Sequence, residues 1–321
     1  FAFILLLEQS GYMARAAFLM DRLMAGVGLN GRAFIPLLSS FACAIPGIMA
    51  ARAIDTPRDR LTTILIAPLM TCSARLPVYT LIIAAFIPNT LVGPGIGLQG
   101  VVMFGLYMAG IVGALVAAAL LKLTVIRGLP QPFLMELPKY QLPVLRDVVL
   151  GLFERARIFL RRAGTIILVC MLVLWVLASF PAPPPDATDA AIRYSYAGMI
   201  GRVLEVFFAP LGFTWEIAIA LVPGMAAREV AVGALGTVYA LSGSEEAVAD
   251  SLVATLQGAW SLPTALALLA WYVFAPQCLS TLAVARRETN SWRWTLFMFG
   301  YLFVLAYIAA GLTYWIARAA G

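Results

Sequence analysis

Three cysteines stand beside proline breaks in this sequence, and their setting is the first sign of chemistry. Cys43 lies three residues before Pro46, Cys72 four residues after Pro68, and Cys278 two residues after Pro276. Cys72 is flanked by Thr71 and Ser73, and Cys278 by Gln277 with Ser280 close behind. Thiol or thiolate sulfur among hydroxyl and carbonyl oxygens suits a borderline or soft divalent cation such as iron(II). A lone cysteine in an apolar segment is more often a small packing residue, which is the role expected of Cys170 in its unbroken run Ile167-Leu-Val-Cys-Met171. The candidate metal-facing residues are therefore Cys43, Cys72 and Cys278, with Ser73, Glu229, Glu8, Met49 and Met225 as secondary candidates. Ionisable groups inside apolar spans are costly and default to functional roles. Arg75 and Arg228 repel cations, so gating or pairing with a carboxylate suits them better than ligation. Glu229 is open to two roles, pairing with Arg228 or Arg75 as structure or approaching the cation.

The prolines add oxygen. A proline inside a helix has no amide to donate and clashes with the carbonyl four residues earlier. Pro46, Pro223, Pro68 and Pro276 would thus free the carbonyls of Ala42, Ile219, Ile64 and Tyr272. In lipid such groups cost several kcal/mol unless protein, water or an ion satisfies them. The breaks are also related to one another. Residues 45–52 read Ile-Pro-Gly-Ile-Met-Ala-Ala-Arg and residues 222–228 read Val-Pro-Gly-Met-Ala-Ala-Arg, one residue apart in length. Each is followed by an Ala-Pro and a cysteine, at Ala67-Pro68 with Cys72 and at Ala275-Pro276 with Cys278.

The elements that must position these groups are membrane helices. Hydrophobic residues make up 62% of the 321 positions and charged residues 12%, with mean hydropathy +0.93. A soluble domain carries about 25% charged residues, and the apolar residues fall into blocks near the ~20 residues that cross a bilayer. The blocks are 1–24, 34–51, 61–87, 98–125, 163–180, 215–241, 261–285 and 294–317, several of them interrupted by proline. Positive loops mark the cytoplasmic side. Lys122 to Arg162 holds eight basic residues against Glu136, Asp147 and Glu154, and 52–60 and 286–293 are basic as well. The segments 88–98, 181–191 and 242–260 lack basic residues and are expected outside. These sides make 61–87 and 261–285 antiparallel. They also require 34–51 and 215–241 to be re-entrant or discontinuous, as in transporters built from inverted repeats.

The expected fold is an all-α polytopic helix bundle with two inverted repeats of broken helices. Within 127–162, Leu145, Val148, Val149, Leu152, Phe153, Ala156, Phe159 and Leu160 form one helical face opposite Arg146, Arg155, Arg157 and Arg161. That pattern predicts an amphipathic helix on the cytoplasmic lipid surface. Phe1–Leu7 is too short to span and has no basic flank, so the chain is expected to begin inside a helix of a longer protein. The cysteines lie in apolar segments and are expected as reduced thiols. The net charge of +6 sits in loops between spans and calls for no nucleic-acid partner. Histidine is absent, and no His-Glu-x-x-His or catalytic Ser or Asp pair occurs, so neither a catalytic nor a cofactor-binding residue is expected.

At these residues the sequence resembles the FeoB ferrous-iron transporter family in its membrane domain. The resemblance runs through Glu8–Phe18, Met20–Met24, Phe41–Pro46, Asp59–Pro68, Thr71–Pro77, Pro132–Pro138, Met225–Val230 and Ala283–Glu288. It implies a transmembrane permease domain over 1–321, with Gate motifs at 31–87 and 215–285 and Fe²⁺ uptake across the bacterial inner membrane through a cysteine-lined path. Cys43 and Cys72 fall on the first Gate's cysteines and Cys278 on the second's. The resemblance also implies an N-terminal GTP-binding domain holding GTP and Mg²⁺, small cytoplasmic accessory proteins, and a homo-oligomer. No Gly-x-x-x-x-Gly-Lys-Ser/Thr loop occurs in this chain. The family's Gly-Cys-Asn is Ala42-Cys43-Ala44 here, its Glu-Asp is Glu8-Gln9, and its Cys-Gly is Cys72-Ser73, which thins the oxygen ligands. A Gate-type carrier of nucleosides or organic solutes is the alternative, although it would want more polar side chains at the breaks.

Overall fold

A computed structural model describes residues 2–93, 96–125, 140–161, 165–181, 194–226, 228, 230–239, 245–276 and 278–320. Among these the chain is helical apart from one short antiparallel hairpin, β1 (Leu91–Gly93) with β2 (Ile96–Gly97). Four stretches are long and apolar enough to cross a membrane: Pro57–Phe86, Leu98–Thr124, Leu262–Thr289 and Trp292–Ala320. They match four of the sequence blocks within a few residues. The protein is an all-α polytopic helix bundle.

The chain divides into two compact units. The first comprises Phe1–Ser73, Gly110–Thr165 and Ser280–Met298. It opens with α1 (Ala2–Gln9) and α2 (Tyr12–Gly26), where the sequence pattern suggested a single helix. The break falls at Gly11, whose φ of 75° is a left-handed conformation that glycine adopts without the Cβ penalty. α3 (Phe34–Ala42) and α4 (Ala44–Ala50) follow, then α5 (Pro57–Ile66), which starts with proline in its first turn and Asp59 near the positive end of its dipole. α7 (Leu98–Thr124) supplies Gly110, Ala114, Ala117, Ala118 and Leu121 as a buried, small-residue face to this unit. Its opposite face exposes Val112, Val116, Leu120 and Leu123, the composition of a lipid-facing surface. α8 (Leu145–Phe159) is the amphipathic helix the sequence predicts. It buries Val148 and sets Gly151 against Leu5 of α1, while Leu145, Val149 and Phe153 stay exposed.

The second unit comprises Ala74–Ala109, Ile166–Leu279 and Phe299–Gly321. It holds α6 (Leu76–Phe86), α9 (Thr165–Ser179), α10 (Tyr196–Phe208), α11 (Trp215–Ala226), α12 (Val230–Val238), α13 (Glu245–Ala259), α14 (Leu262–Phe274) and most of α16 (Trp292–Ala320); α15 (Leu279–Thr289) lies chiefly in the first unit. Its core centres on Trp271, 1% exposed, which meets Phe208 and Phe303 edge-on with ring centroids 5.3 Å apart. α10 and α11 meet at 104°, turning through Gly212 at φ 72°. The break expected inside 215–241 falls after Pro223, where α11 ends at Ala226 and α12 starts at Val230; the bend at Gly212 is an additional one. The sequence pattern predicts no helix at α10 and an outside loop at 242–260. α13 forms there because Leu252 and Leu256, one turn apart, bury fully against the unit's core while its acidic residues stand at its start.

Candidate cation-facing breaks

In the first unit both cysteines sit where helices stop. α3 ends and α4 begins at Cys43, whose backbone is extended (φ −160°, ψ 136°). The chain can turn back tightly here because Gly47 of α4 has no side chain. A Cβ at that position would lie 1.9 Å from Ser40 Oγ and 2.7 Å from the Pro36 carbonyl oxygen of α3. α5 runs into a 3₁₀ turn at Ala67–Leu69, placing Pro68 early in that turn, and Met70 is extended before Cys72. α3 and α4 both pack on this turn. The two breaks are tied directly, since Ser73 Oγ donates to the Ala42 carbonyl at 3.0 Å. The residue after Cys72 thus binds the residue before Cys43.

That bond answers one sequence expectation. The Ala42 carbonyl, freed by Pro46, has a protein hydroxyl as its partner, and the Ser73 oxygen keeps its lone pairs available. Cys72 is buried and Cys43 half-buried. Thr71, fully buried beside Cys72, has a hydroxyl with no hydrogen-bond partner among the described residues. The sequence signalled Thr71 only as a flanking residue. Gly110 of α7 allows the approach, because a Cβ there would lie 2.8 Å from Thr71 Oγ1 and 3.0 Å from the Leu69 carbonyl oxygen.

In the second unit α14 stops at Phe274, Ala275 and Pro276 are not helical, and Cys278, half-buried, stands just before α15. The freed carbonyls here belong to two arginines. Arg228, in the gap between α11 and α12, is 3% exposed and donates from Nη1 to the Tyr272 carbonyl at 3.0 Å. From Nη2 it donates to the carbonyls of Ala275 and Pro276, each at 2.7 Å. Arg75, fully buried, donates to the Val273 carbonyl at 2.8 Å. Backbone carbonyls are thus among the partners of both arginines; the carboxylate suggested for them, Glu229, lies outside the described residues.

Met49 lies in α4 and Met225 in α11, both half-buried. Glu8 lies on α1. Glu229 and Gln277 lie outside the described residues, as does the matched segment 132–138. Among the described residues no three cysteine or carboxylate side chains form a group that could hold a metal ion.

Cysteine-bearing helix breaks among spans of bilayer length define a polytopic membrane protein built on discontinuous helices. A family model described as Gate, nucleoside recognition, matches residues 1–86 and 160–292, and one described as ferrous iron transport protein B C terminus matches 103–155. The chain belongs to the Gate family, in its FeoB-type form. It is 44% identical over 96% of its length to a protein of Leptospira interrogans named Fe(2+) transporter FeoB, covering 46% of that protein. The protein of the same name from Campylobacter jejuni is 36% identical over 98% of this chain and 51% of its own length. A Porphyromonas gingivalis protein named as a fusion of Fe(2+) transport protein A with FeoB is 36% identical over 97% of this chain and 41% of its own. The chain thus spans about half the length of these curated relatives. No solved structure matches it.

Proposed function

We propose that this chain is the permease domain, residues 1–321, of a ferrous-iron uptake system in a bacterial inner membrane. In this reading Fe²⁺ passes Cys43, Cys72 and Cys278 in the two Gate motifs, 31–87 and 215–285. The observation that carries the reading is the Ser73–Ala42 hydrogen bond, which ties two cysteine-bearing breaks beside a buried Thr71 hydroxyl that has no hydrogen-bond partner among the described residues. Sulfur with hydroxyl oxygens is a donor set suited to Fe²⁺. A permeating ion must be held loosely enough to leave. Cys43, Cys72 and Cys278 approach one another along the path in this reading, each sulfur holding the ion only loosely. Glu8, Glu229, Met49 and Met225 are secondary contacts in this scheme.

The relatives named as Fe²⁺ transporters support the cargo, and the fusion relative supports a small accessory protein as partner. A GTP-binding domain outside this chain, carrying GTP and Mg²⁺, would regulate the path, and assembly into a homo-oligomer belongs to the same reading. The test is uptake of radioactive Fe²⁺ into cells or proteoliposomes carrying the full-length protein. Cys43→Ser, Cys72→Ser and Cys278→Ser should each lower uptake at least about tenfold while insertion persists, roughly the loss of one good ligand at 1.4 kcal/mol per factor of ten. Cys170→Ser should transport normally. Normal transport by the triple serine variant would leave the sulfurs as packing groups. Strong competition by nucleosides would favour the carrier alternative instead.

A further inference from the structure

The carbonyl cluster at the end of α14 has a consequence for which ions can use the second break. Four carbonyl oxygens, those of Tyr272, Val273, Ala275 and Pro276, are released where the helix unwinds, and each receives a guanidinium N–H. A helix C-terminus carries a partial negative charge. In transporters with broken helices, unwound carbonyls and half-helix C-terminal ends are the groups that coordinate Na⁺. Hard cations such as Ca²⁺ want six to eight oxygens of this kind, roughly 2.3–2.6 Å away. Here that oxygen cluster is already filled by two tethered cations. Both guanidiniums are buried, and that of Arg228 also lies over the Tyr272 ring, 5.5 Å from its centroid, a second cation-stabilising surface.

We propose that Arg228 and Arg75 are specificity-determining residues that occupy, as built-in cations, an oxygen cage a hard metal ion would otherwise fill. With the carbonyls taken, the soft donor at this break is the sulfur of Cys278. Selectivity for a soft or borderline cation then follows from removal of the hard site as well as from provision of the soft one. The inference rests on the proposed cation path past Cys278, but its test does not need iron to move. A guanidinium that merely capped the helix would make any neutral replacement less stable, whatever ions were present. A guanidinium that stands in for a cation should be replaceable by one.

The experiment is thermal unfolding of the full-length protein in detergent, titrated with Ca²⁺, Mg²⁺ and Na⁺, for wild type, Arg228→Met and Arg228→Lys. Arg228→Met should lose stability and regain it saturably with at least one of the three ions, with half-effect at a concentration at least tenfold below any response of the wild type. Arg228→Lys keeps a tethered charge and should stay unresponsive. In proteoliposomes, Fe²⁺ uptake by Arg228→Met should become at least tenfold more sensitive to the same ion. A folded Arg228→Met that responds to cations no more than wild type overturns the proposal. If that variant does not fold, Arg75→Met, which releases the Val273 carbonyl, should show a weaker response of the same kind, and no response would refute the proposal. Normal Fe²⁺ transport by Cys278→Ser, beside a cation-responsive Arg228→Met, would overturn the iron path and leave the oxygen cage standing.

Discussion

The tightest demand the structure makes near Cys43 is for a glycine at 47, and Gly47→Ala measures it. The added methyl would sit 1.9 Å from Ser40 Oγ, 3.0 Å from Ser40 Cβ and 2.7 Å from the Pro36 carbonyl oxygen. Ser40 can rotate its hydroxyl away only by giving up its 2.8 Å bond to that same carbonyl, a loss of about 0.5–1.5 kcal/mol. The carbonyl is backbone, so α3 and α4 must separate, which costs about 1–3 kcal/mol as overpacking. Alanine returns about 1 kcal/mol of helix propensity. The net is a destabilisation of about 0.5–3.5 kcal/mol, or a fall in Tm of roughly 1–7 °C at about 2 °C per kcal/mol. The repeat-related Gly224 is the control. A Cβ there meets the Tyr272 hydroxyl at 3.0 Å and Ala231 Cβ at 3.3 Å, the first of these the end of a side chain. Gly224→Ala should therefore stay within about 1 kcal/mol of wild type, because Tyr272 can shift. Because α4 starts at Cys43, splaying α3 from α4 should also loosen the Ser73–Ala42 bond and lower Fe²⁺ uptake. Thermal unfolding of both variants, with uptake measured in parallel, decides the matter. A Gly47→Ala protein as stable as wild type, or less perturbed than Gly224→Ala, would refute the reasoning.

Two further outcomes are expected. Lys122 at the end of α7 pairs with Asp59, whose side chain is only 9% exposed. Lys122→Met should cost about 3–5 kcal/mol by stranding that carboxylate, and adding Asp59→Asn should recover most of it; equal stability of the single and double variants would contradict this. Loop charge places Thr90 outside and Gln141 inside, so a membrane-impermeant thiol reagent added to intact cells should label Thr90→Cys and spare Gln141→Cys. Labelling of Gln141→Cys from outside would reverse the topology.

Much of the architecture was legible because its signals are compositional. Long apolar runs gave four spans, and the alternation of Leu145, Val149 and Phe153 with arginines gave α8. Breaks were legible where proline made them and hidden where glycine did. Gly11 splits the first block with no change in hydropathy, and Gly212 turns α10 into α11 after a segment that carried no helix signal strong enough to assign. The cysteines could be picked from their setting, but the partners of the arginines could not. They depend on carbonyls 44 to 48 residues away from Arg228, and in the case of Arg75 on one 198 residues away.

The sharpest lesson lies within the repeat itself. Pro46 is the third residue of α4, inside the first turn, where a helix needs no amide donor. The helix can therefore begin just ahead of it, and the break falls at Cys43. Pro223 lies well inside α11, so that helix continues to Ala226 and the break falls after the proline. The same Pro-Gly-…-Ala-Ala-Arg string is thus shifted across its break in the two copies, and its arginines part company. Arg52 comes out beyond α4, exposed, where Nε and Nη2 donate to both oxygens of Glu288 at 2.6 and 2.7 Å and the carboxylate raises its pKa further. Arg228 is left in the gap, buried, among the carbonyls that α14 releases. One repeat thus spends its arginine on a surface ion pair and holds its break with a serine hydroxyl. The other places a permanent positive charge beside its cysteine.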